Sequence, residues 1–197
     1  MTGNMNEEII QAIKILNQGG IVIFPTDTAF GIGCRMDNEE AIMKLFALRR
    51  RPQTQATPVL FDSIALVRKY VISIPEKVEV ELIDQYWPGA LTIILSSQSE
   101  KVPSLVRGGT ETIGVRIPNN QAVQSIITGI GVPLLGPSAN FHGEKTPYTF
   151  EELDKELCAL VDYVVPGECM TKQASTVIDC TIEPWKIIRK GAAHIEL

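Results

Sequence analysis

Four short polar segments interrupt an otherwise apolar chain, and their residue types suit the handling of small anions. The first, Pro25-Thr26-Asp27-Thr28-Ala29-Phe30-Gly31-Ile32-Gly33, follows directly on the apolar run at residues 21–24. A strand-to-loop exit of this kind in an α/β sheet is where ligands usually bind. The hydroxyls of Thr26 and Thr28 and the carboxylate of Asp27 can orient a small polar substrate. Equally, the segment reads as a glycine-rich turn in which Asp27 caps its own backbone. The second is Arg49-Arg50-Arg51-Pro52. Arginine forks present two parallel donors to phosphate oxygens, but three cations at a helix C-terminus also complement the macrodipole with no ligand at all. Helical neighbours point about 100° apart. For Arg49 and Arg51 to share a ligand, the helix must therefore end at about Arg50 and Pro52 must turn the chain.

The third segment is Gly136-Pro137-Ser138-Ala139-Asn140, after the apolar run 132–135. Its short side chains let backbone N–H groups approach an anion, and Ser138 and Asn140 add donors; a plain turn is the rival reading. The fourth joins Ala174-Ser175-Thr176-Val177-Ile178-Asp179 to Ile187-Ile188-Arg189-Lys190-Gly191, a hydroxyl pair at one strand start and a basic pair at another strand end. Thr112 and Arg116, four residues apart, share one face of a strand. An arginine on a buried strand face has an anionic partner or ligand. Two nucleotide fingerprints are absent. Gly31-Ile32-Gly33 lacks the third glycine of a Rossmann turn, and Gly143-Glu144-Lys145-Thr146 has one residue too many for a P-loop.

The elements that position these segments alternate in type. Ile9, Ile10, Ile13 and Leu16 sit at helical spacing over residues 6–18, and Gly19-Gly20 stops that helix. Residues 21–24 form a short buried strand. Asp37-Asn38-Glu39-Glu40 is an N-cap with an acidic first turn, opening a helix that carries Ile42, Leu45, Phe46 and Leu48. Further strands are predicted at 58–61, 90–95, 112–117 and 132–135, near Tyr163, and at 176–179 and 185–189. Helices are predicted at 75–86 and 119–128, and a capping box at Thr149-Phe150-Glu151-Glu152 opens another. The expectation is one α/β domain over residues 1–197, built on a twisted mixed β-sheet flanked by helices.

Composition narrows the function classes. The chain has 197 residues, 45% hydrophobic and 21% charged, which excludes a disordered, collagenous or coiled-coil protein. Apolar runs stay far below the roughly 20 residues of a membrane span. Net charge is −5, so any anionic ligand is held by a local basic site inside an acidic chain. Only His142 and His194 are present, so a multi-histidine metal site is excluded and a Ser–His–Asp triad must use one of them. Cys34, Cys158, Cys169 and Cys180 form no CxxC pair and read as reduced, mostly buried thiols of a cytoplasmic protein.

Taken together, the segments resemble the YrdC-like family, the threonylcarbamoyl-adenylate synthases of tRNA modification. The likeness runs from Asn6 to Arg189. The run from Gly19 to Gly33 looks like the family's leading signature, Ser138-Ala139-Asn140 its S-x-N element, and Ser175-Thr176 with Arg189 its closing elements. The resemblance implies a YrdC-like fold with a concave basic cavity. It also implies a nucleotidyltransferase reaction in which L-threonine, bicarbonate and ATP give threonylcarbamoyl-AMP and pyrophosphate. By family position, Thr28, Arg116 and Ser175 face L-threonine. Arg51, Gln55, Thr112, Ser138, Thr146 and Arg189 line the ATP side, while Arg49, Arg51, Ser138 and Asn140 serve catalysis. Mg²⁺ would ride on the ATP phosphates with few protein ligands. The implied partners are downstream tRNA-modification enzymes and an RNA contact, without a membrane.

Three positions depart from the family pattern. Arg49 stands where the K-x-R element has lysine. Gly136 stands where many members have Ser or Thr, removing a possible threonine contact. Residues 53–58 are longer than the common Asn-Pro-Leu version, with Gln55 in the place of the asparagine and Asp62 roughly in that of a histidine near threonine. The main rival is a paralogue of the same fold that binds RNA or a nucleotide without making the adenylate. A second is a carbamoyl-transfer domain acting on a different carbamate.

Overall fold

Gly19-Gly20 ends the first helix and launches the first strand, as the sequence predicts. Gly19 sits at φ +81°, and the Gly20 N–H donates to the Ile15 carbonyl at 2.9 Å. The structure, a computed structural model, describes residues 2–196. Helix α1 (Thr2–Asn17) is followed by β1 (Val22–Phe24), β2 (Gly31–Gly33), α2 (Glu39–Leu48), β3 (Val59–Leu60) and α3 (Ile64–Val67). A helical stretch at 76–86 comes next. It is made of α4 (Glu76–Val78), a π turn (Glu79–Ile83) and α5 (Asp84–Tyr86). Then come β4 (Leu91–Ser96), α6 (Ser104–Arg107), β5 (Thr112–Arg116), α7 (Gln121–Ile130) and β6 (Leu134–Leu135). The chain closes with α8 (Lys155–Leu160), β7 (Tyr163–Val164), β8 (Thr176–Asp179) and β9 (Lys186–Arg189).

The strands form two mixed sheets rather than the single one expected. Three strands run in the order β2-β1-β7, and six in the order β6-β3-β5-β4-β8-β9. Parallel pairs (β1/β7, β3/β5, β4/β8) alternate with antiparallel ones. The sheets meet edge to edge. Ile32 N–H donates to Pro137 O at 2.9 Å and Leu135 N–H to Cys34 O at 3.0 Å, between β2 and the chain around β6. Only glycine permits this approach: a Cβ at Gly33 would lie 1.8 Å from the Leu135 carbonyl oxygen.

Two-residue periodicity divides the core. Ile23, Val59, Phe61 and Leu135 join one apolar cluster with Phe30, Phe46 and Ile93. Val22, Phe24, Leu60 and Leu134 join a second, under α1 and α7. Central strands buried on both faces explain why residues 21–24 and 58–61 read as unbroken apolar runs. All four cysteines are free, three of them buried.

Two further expectations change. Residues 31–33, read as loop, pair with β1 as a strand, because Gly-Ile-Gly carries no β propensity of its own and only the partner strands order it. The capping box at 149–152 does not open an α-helix. Thr149 makes no side-chain cap bond, a 3₁₀ turn (Phe150–Glu152) forms, and the Glu152 carboxylate accepts from the Tyr148 N–H at 2.7 Å. The α-helix opens later, where Asp154 accepts from Leu157 N–H at 3.0 Å.

Gly33→Ala is expected to lower the unfolding free energy by about 3 kcal/mol, read by urea denaturation, because the added methyl cannot clear the β6 backbone. Burial pushes the Cys34 thiol from 9.0 up to about 12, with Asp37 adding to the effect. The unfolded thiol ionises first, so this contribution is complete below pH 9.0 and is lost as pH rises toward 12. Cys34→Ala should flatten the alkaline fall of the urea midpoint across that window.

Candidate functional site

One cleft gathers residues from nearly every polar segment. It has a volume of about 180 Å³, and Arg49, Arg51, Arg116 and Arg189 all line it. Its walls come from the loop after β1, the end of α2, strands β3, β4 and β5, the 136–138 turn, Thr146, and the start of β8 with the end of β9.

The arginine run works because α2 ends early. Arg49 is the C-cap residue, and Arg50 adopts φ +54°. Arg51 N–H donates to Phe46 O at 2.9 Å and Arg50 N–H to Ala47 O at 3.0 Å, a Schellman closure with arginine in the left-handed position usually given to glycine. That reversal brings Arg51 back to the cleft beside Arg49, while Arg50 leaves it. Arg50 instead pairs with Glu156 at 2.8 Å and stacks 4.2 Å from the centre of the Phe141 ring. Arg49 is 2% exposed. Its Nε donates to Asn140 O at 3.0 Å and its Nη2 to Asn140 Oδ1 at 3.2 Å. Burial, reinforced by Arg51, pulls its pKa down to about 10. Arg51 donates from Nη2 to Ala56 O at 2.5 Å.

Arg116 anchors the opposite wall. Its Nη2 meets Asp27 Oδ1 at 2.5 Å, its Nη1 donates to Thr28 Oγ1 at 2.8 Å, and its Nε donates to Gly89 O at 2.9 Å. Burial pushes its pKa down and Asp27 opposes that shift. Asp27 is thus the counter-ion of Arg116, not a simple cap of its own turn. The backbone capping of that turn falls to Thr26, whose Oγ1 accepts from Thr28 N–H at 3.1 Å and Ala29 N–H at 3.2 Å.

Two hydroxyl networks complete the cleft. Ser138 Oγ donates to Asn140 Oδ1 at 2.6 Å, and Asn140 Nδ2 donates to Glu144 O at 2.6 Å. Asn140 does not line the cleft; it stands behind and fixes both Ser138 and Arg49. Ser175 Oγ lies 2.9 Å from Thr92 Oγ1 and accepts from Arg189 Nη2 at 3.0 Å. Ser175 and Arg189, assigned by resemblance to different substrates, therefore touch one another. Thr92 was missed in the sequence because it sits inside the apolar strand β4, where a lone threonine carries no signal.

Among the described residues, three buried side-chain polar atoms have no partner: Arg49 Nη1, Arg51 Nε and Thr57 Oγ1. All lie between α2 and β3, on one stretch of chain. Buried donors without partners are rare and costly. Two of them belong to arginines that line the cleft, where their charge suits an anion. No group of three or more His, Cys, Asp or Glu among the described residues could hold a metal ion.

The model of the Sua5/YciO/YrdC family, described as "Telomere recombination", matches residues 14–191. The chain belongs to that family. A threonylcarbamoyl-AMP synthase of Bacillus subtilis is 30% identical over 188 residues, covering 93% of this chain and 53% of the relative. Sua5 of Pyrococcus abyssi, solved with L-threonine, superposes with a TM-score of 0.86 at 29% identity, covering 95% of this chain and 54% of that one. Escherichia coli YciO superposes with a TM-score of 0.84 at 26% identity, covering 94% of this chain and 90% of that one. The chain spans about half the length of the Bacillus and Pyrococcus relatives and nearly all of YciO.

Within this Sua5/YciO/YrdC fold, several expected positions fall outside the cleft. Gln55 is exposed in a turn closed by its own N–H to Pro52 O at 3.2 Å. The buried residue before Pro58 is Thr57, so the longer loop displaces Gln55 outward. Thr112 sits one full strand length from Arg116, with its Oγ1 3.1 Å from Thr110 Oγ1, beyond the cleft. Asp62 faces α3 and α7, accepting from Ser63 Oγ at 2.8 Å and Thr128 Oγ1 at 2.9 Å, and not the cleft. No helix among the described residues is long and apolar enough to cross a membrane.

Asp27→Asn leaves the buried guanidinium of Arg116 without its counter-ion. The loss expected is about 3–5 kcal/mol of stability, measured as a urea unfolding shift that Arg116→Met in the same chain largely reverses.

Proposed function

We propose that the chain is a threonylcarbamoyl-AMP synthase. The carrying observation is the convergence of Arg49 and Arg51 on a cleft whose other wall holds Arg116 and Thr28. The first pair brings two cations that suit a triphosphate. The second wall suits an amino-acid carboxylate, since Arg116 keeps further N–H donors after bonding Asp27, Thr28 and Gly89. L-threonine bound to the Pyrococcus relative, with names of synthases at about 30% identity, supports the same substrate here.

In this reading the threonine amine and bicarbonate condense to a carbamate with loss of water. A carbamate oxygen then attacks the α-phosphate, and pyrophosphate leaves. Both reactants are anions, so the chain's task is to offset their repulsion. Fixed guanidinium donors lining the cleft do so without reorganising at the moment of reaction. Each charge-assisted bond contributes about 1.5–3 kcal/mol. Arg51, Ser138, Thr146 and Arg189 face the nucleotide, and Thr28, Arg116 and Ser175 face threonine. Arg49 supplies charge but, as an arginine, holds its proton at neutral pH even with its pKa lowered to about 10. Magnesium would arrive on the nucleotide as part of that substrate, with few protein ligands. The product would pass to enzymes that modify an adenosine of tRNA.

A second reading is a nucleotide- or RNA-binding paralogue that makes no adenylate. The similarity to YciO, of which the chain covers 90%, keeps this reading beside the first. Mixing the protein with ATP, Mg²⁺, bicarbonate and labelled L-threonine decides between them. Threonylcarbamoyl-AMP detected by mass, and lost when bicarbonate is omitted, supports the synthase; nucleotide or RNA binding without product supports the paralogue. Arg51→Ala and Ser138→Ala are each expected to cut product formation by about 100-fold with an unchanged unfolding midpoint. Full activity in either variant overturns the nucleotide wall.

A further inference from the structure

We infer that Glu152, which lies outside the cleft, is a positioning residue for the nucleotide: its carboxylate clamps the chain at Lys145 and Tyr148 and so aims Thr146 into the cleft. This rests on the reading above, in which Thr146 stands on the ATP side. Residues 141–149 form neither helix nor strand, and of them only Thr146 lines the cleft. A side chain on irregular backbone has no register to aim it, so its direction is set by what holds the segment on either side. Three ties do so here. Asn140 Nδ2 donates to Glu144 O at 2.6 Å. Phe30 N–H donates to Pro147 O at 3.1 Å, joining the segment to the loop before β2. Glu152 takes the flanks: Oε1 accepts from Lys145 Nζ at 2.8 Å and Oε2 from Tyr148 N–H at 2.7 Å. One carboxylate thus bridges the residue before Thr146 and the second residue after it.

Glu152 has no helix to serve. A capping-box glutamate reaches back to the cap residue at the head of its own helix, but α8 opens two residues later on its own cap, Asp154. Lys145 first, and then the Tyr148 N–H, hold the Glu152 carboxyl below its ordinary range, so it is ionised at neutral pH and both bonds are charge-assisted. The two bonds differ in what they fix. Lys145 is exposed and reaches Glu152 on a flexible stem, so the ion pair constrains little backbone. The Tyr148 N–H is main chain, and bonding it fixes the backbone immediately after Pro147. Tyr148 also neighbours Arg189: burial lowers the pKa of that guanidinium and Tyr148 opposes the shift. The clamp therefore bears on two residues of the cleft, Thr146 and Arg189, from a carboxylate that lines none of it.

The test compares KM for ATP and for L-threonine in the full chain and three variants. Glu152→Ala is expected to raise KM for ATP about tenfold with little change in kcat, and to leave KM for threonine, held on the other wall, unmoved. Glu152→Gln keeps an oxygen for the Tyr148 N–H and should return the ATP value close to that of the parent. Lys145→Met removes only the ion pair and should leave it there. KM does not depend on how much of a preparation is folded, so the split between the two substrates survives a variant that folds poorly. No rise in Glu152→Ala, an equal rise in both KM values, or Lys145→Met matching Glu152→Ala overturns the clamp and leaves the synthase reading standing. If the parent binds ATP but forms no product, the synthase reading falls; the clamp is then read from the Kd for ATP by calorimetry, with the same ratios expected. If the parent binds no ATP, the nucleotide side of the cleft falls and this inference with it.

Discussion

A buried guanidinium needs a counter-charge, and the way Arg116 obtains one organises the molecule. Its partner, Asp27, lies on the loop after β1, in the three-stranded sheet, whereas Arg116 ends β5 in the six-stranded sheet. The ion pair therefore ties the two sheets together across the floor of the cleft. Thr28 and the Gly89 carbonyl take two more of the five guanidinium donors. The pair is a weak source of net stability. Its effect is to fix where one cationic fork points, and every other wall of the cleft is built around that direction.

The opposite wall follows a different logic. Arg49 and Arg51 both line the cleft, two like charges close together on one wall, where an anion would offset their repulsion. Placing both there requires Arg50 to accept a left-handed backbone that glycine would adopt at no steric cost. The cation–π contact with Phe141 and the ion pair with Glu156 hold Arg50 outward and offset that strain. The chain is acidic overall, at net charge −5, yet the cleft presents four arginines. The local field at the cleft opposes the sign of the whole surface, which favours a small anion over a long polyanion at this site.

The relatives frame the same geometry. Membership of the Sua5/YciO/YrdC family covers most of the chain, and superposition on a threonine-bound relative and on YciO is about equally close. Arg49 and Gly136, two positions at which the sequence departs from the pattern it resembles, both line the cleft.

Much of this was legible in the residues. The apolar runs at 21–24 and 58–61, the Asn38 cap and the glycine stop at 19–20 are local signals, encoded by neighbours in sequence, and they formed as read. The requirement that α2 end at about Arg50 also followed from helical geometry alone. The capping box at Thr149 failed because Glu152 is held by Lys145 and Tyr148 instead, a competition among several backbone and side-chain groups. Gln55, Thr112 and Asp62 were placed by their order in the chain, and order does not report which way a longer loop or a strand end faces. What the sequence determined by itself is the inventory: mixed strands, their short connections, and cations and hydroxyls at strand exits. The tertiary structure alone decided the pairings, Arg116 with Asp27 and Ser175 with Thr92, because each joins residues far apart in the chain and is selected by sheet register and close packing, to which local propensity is blind.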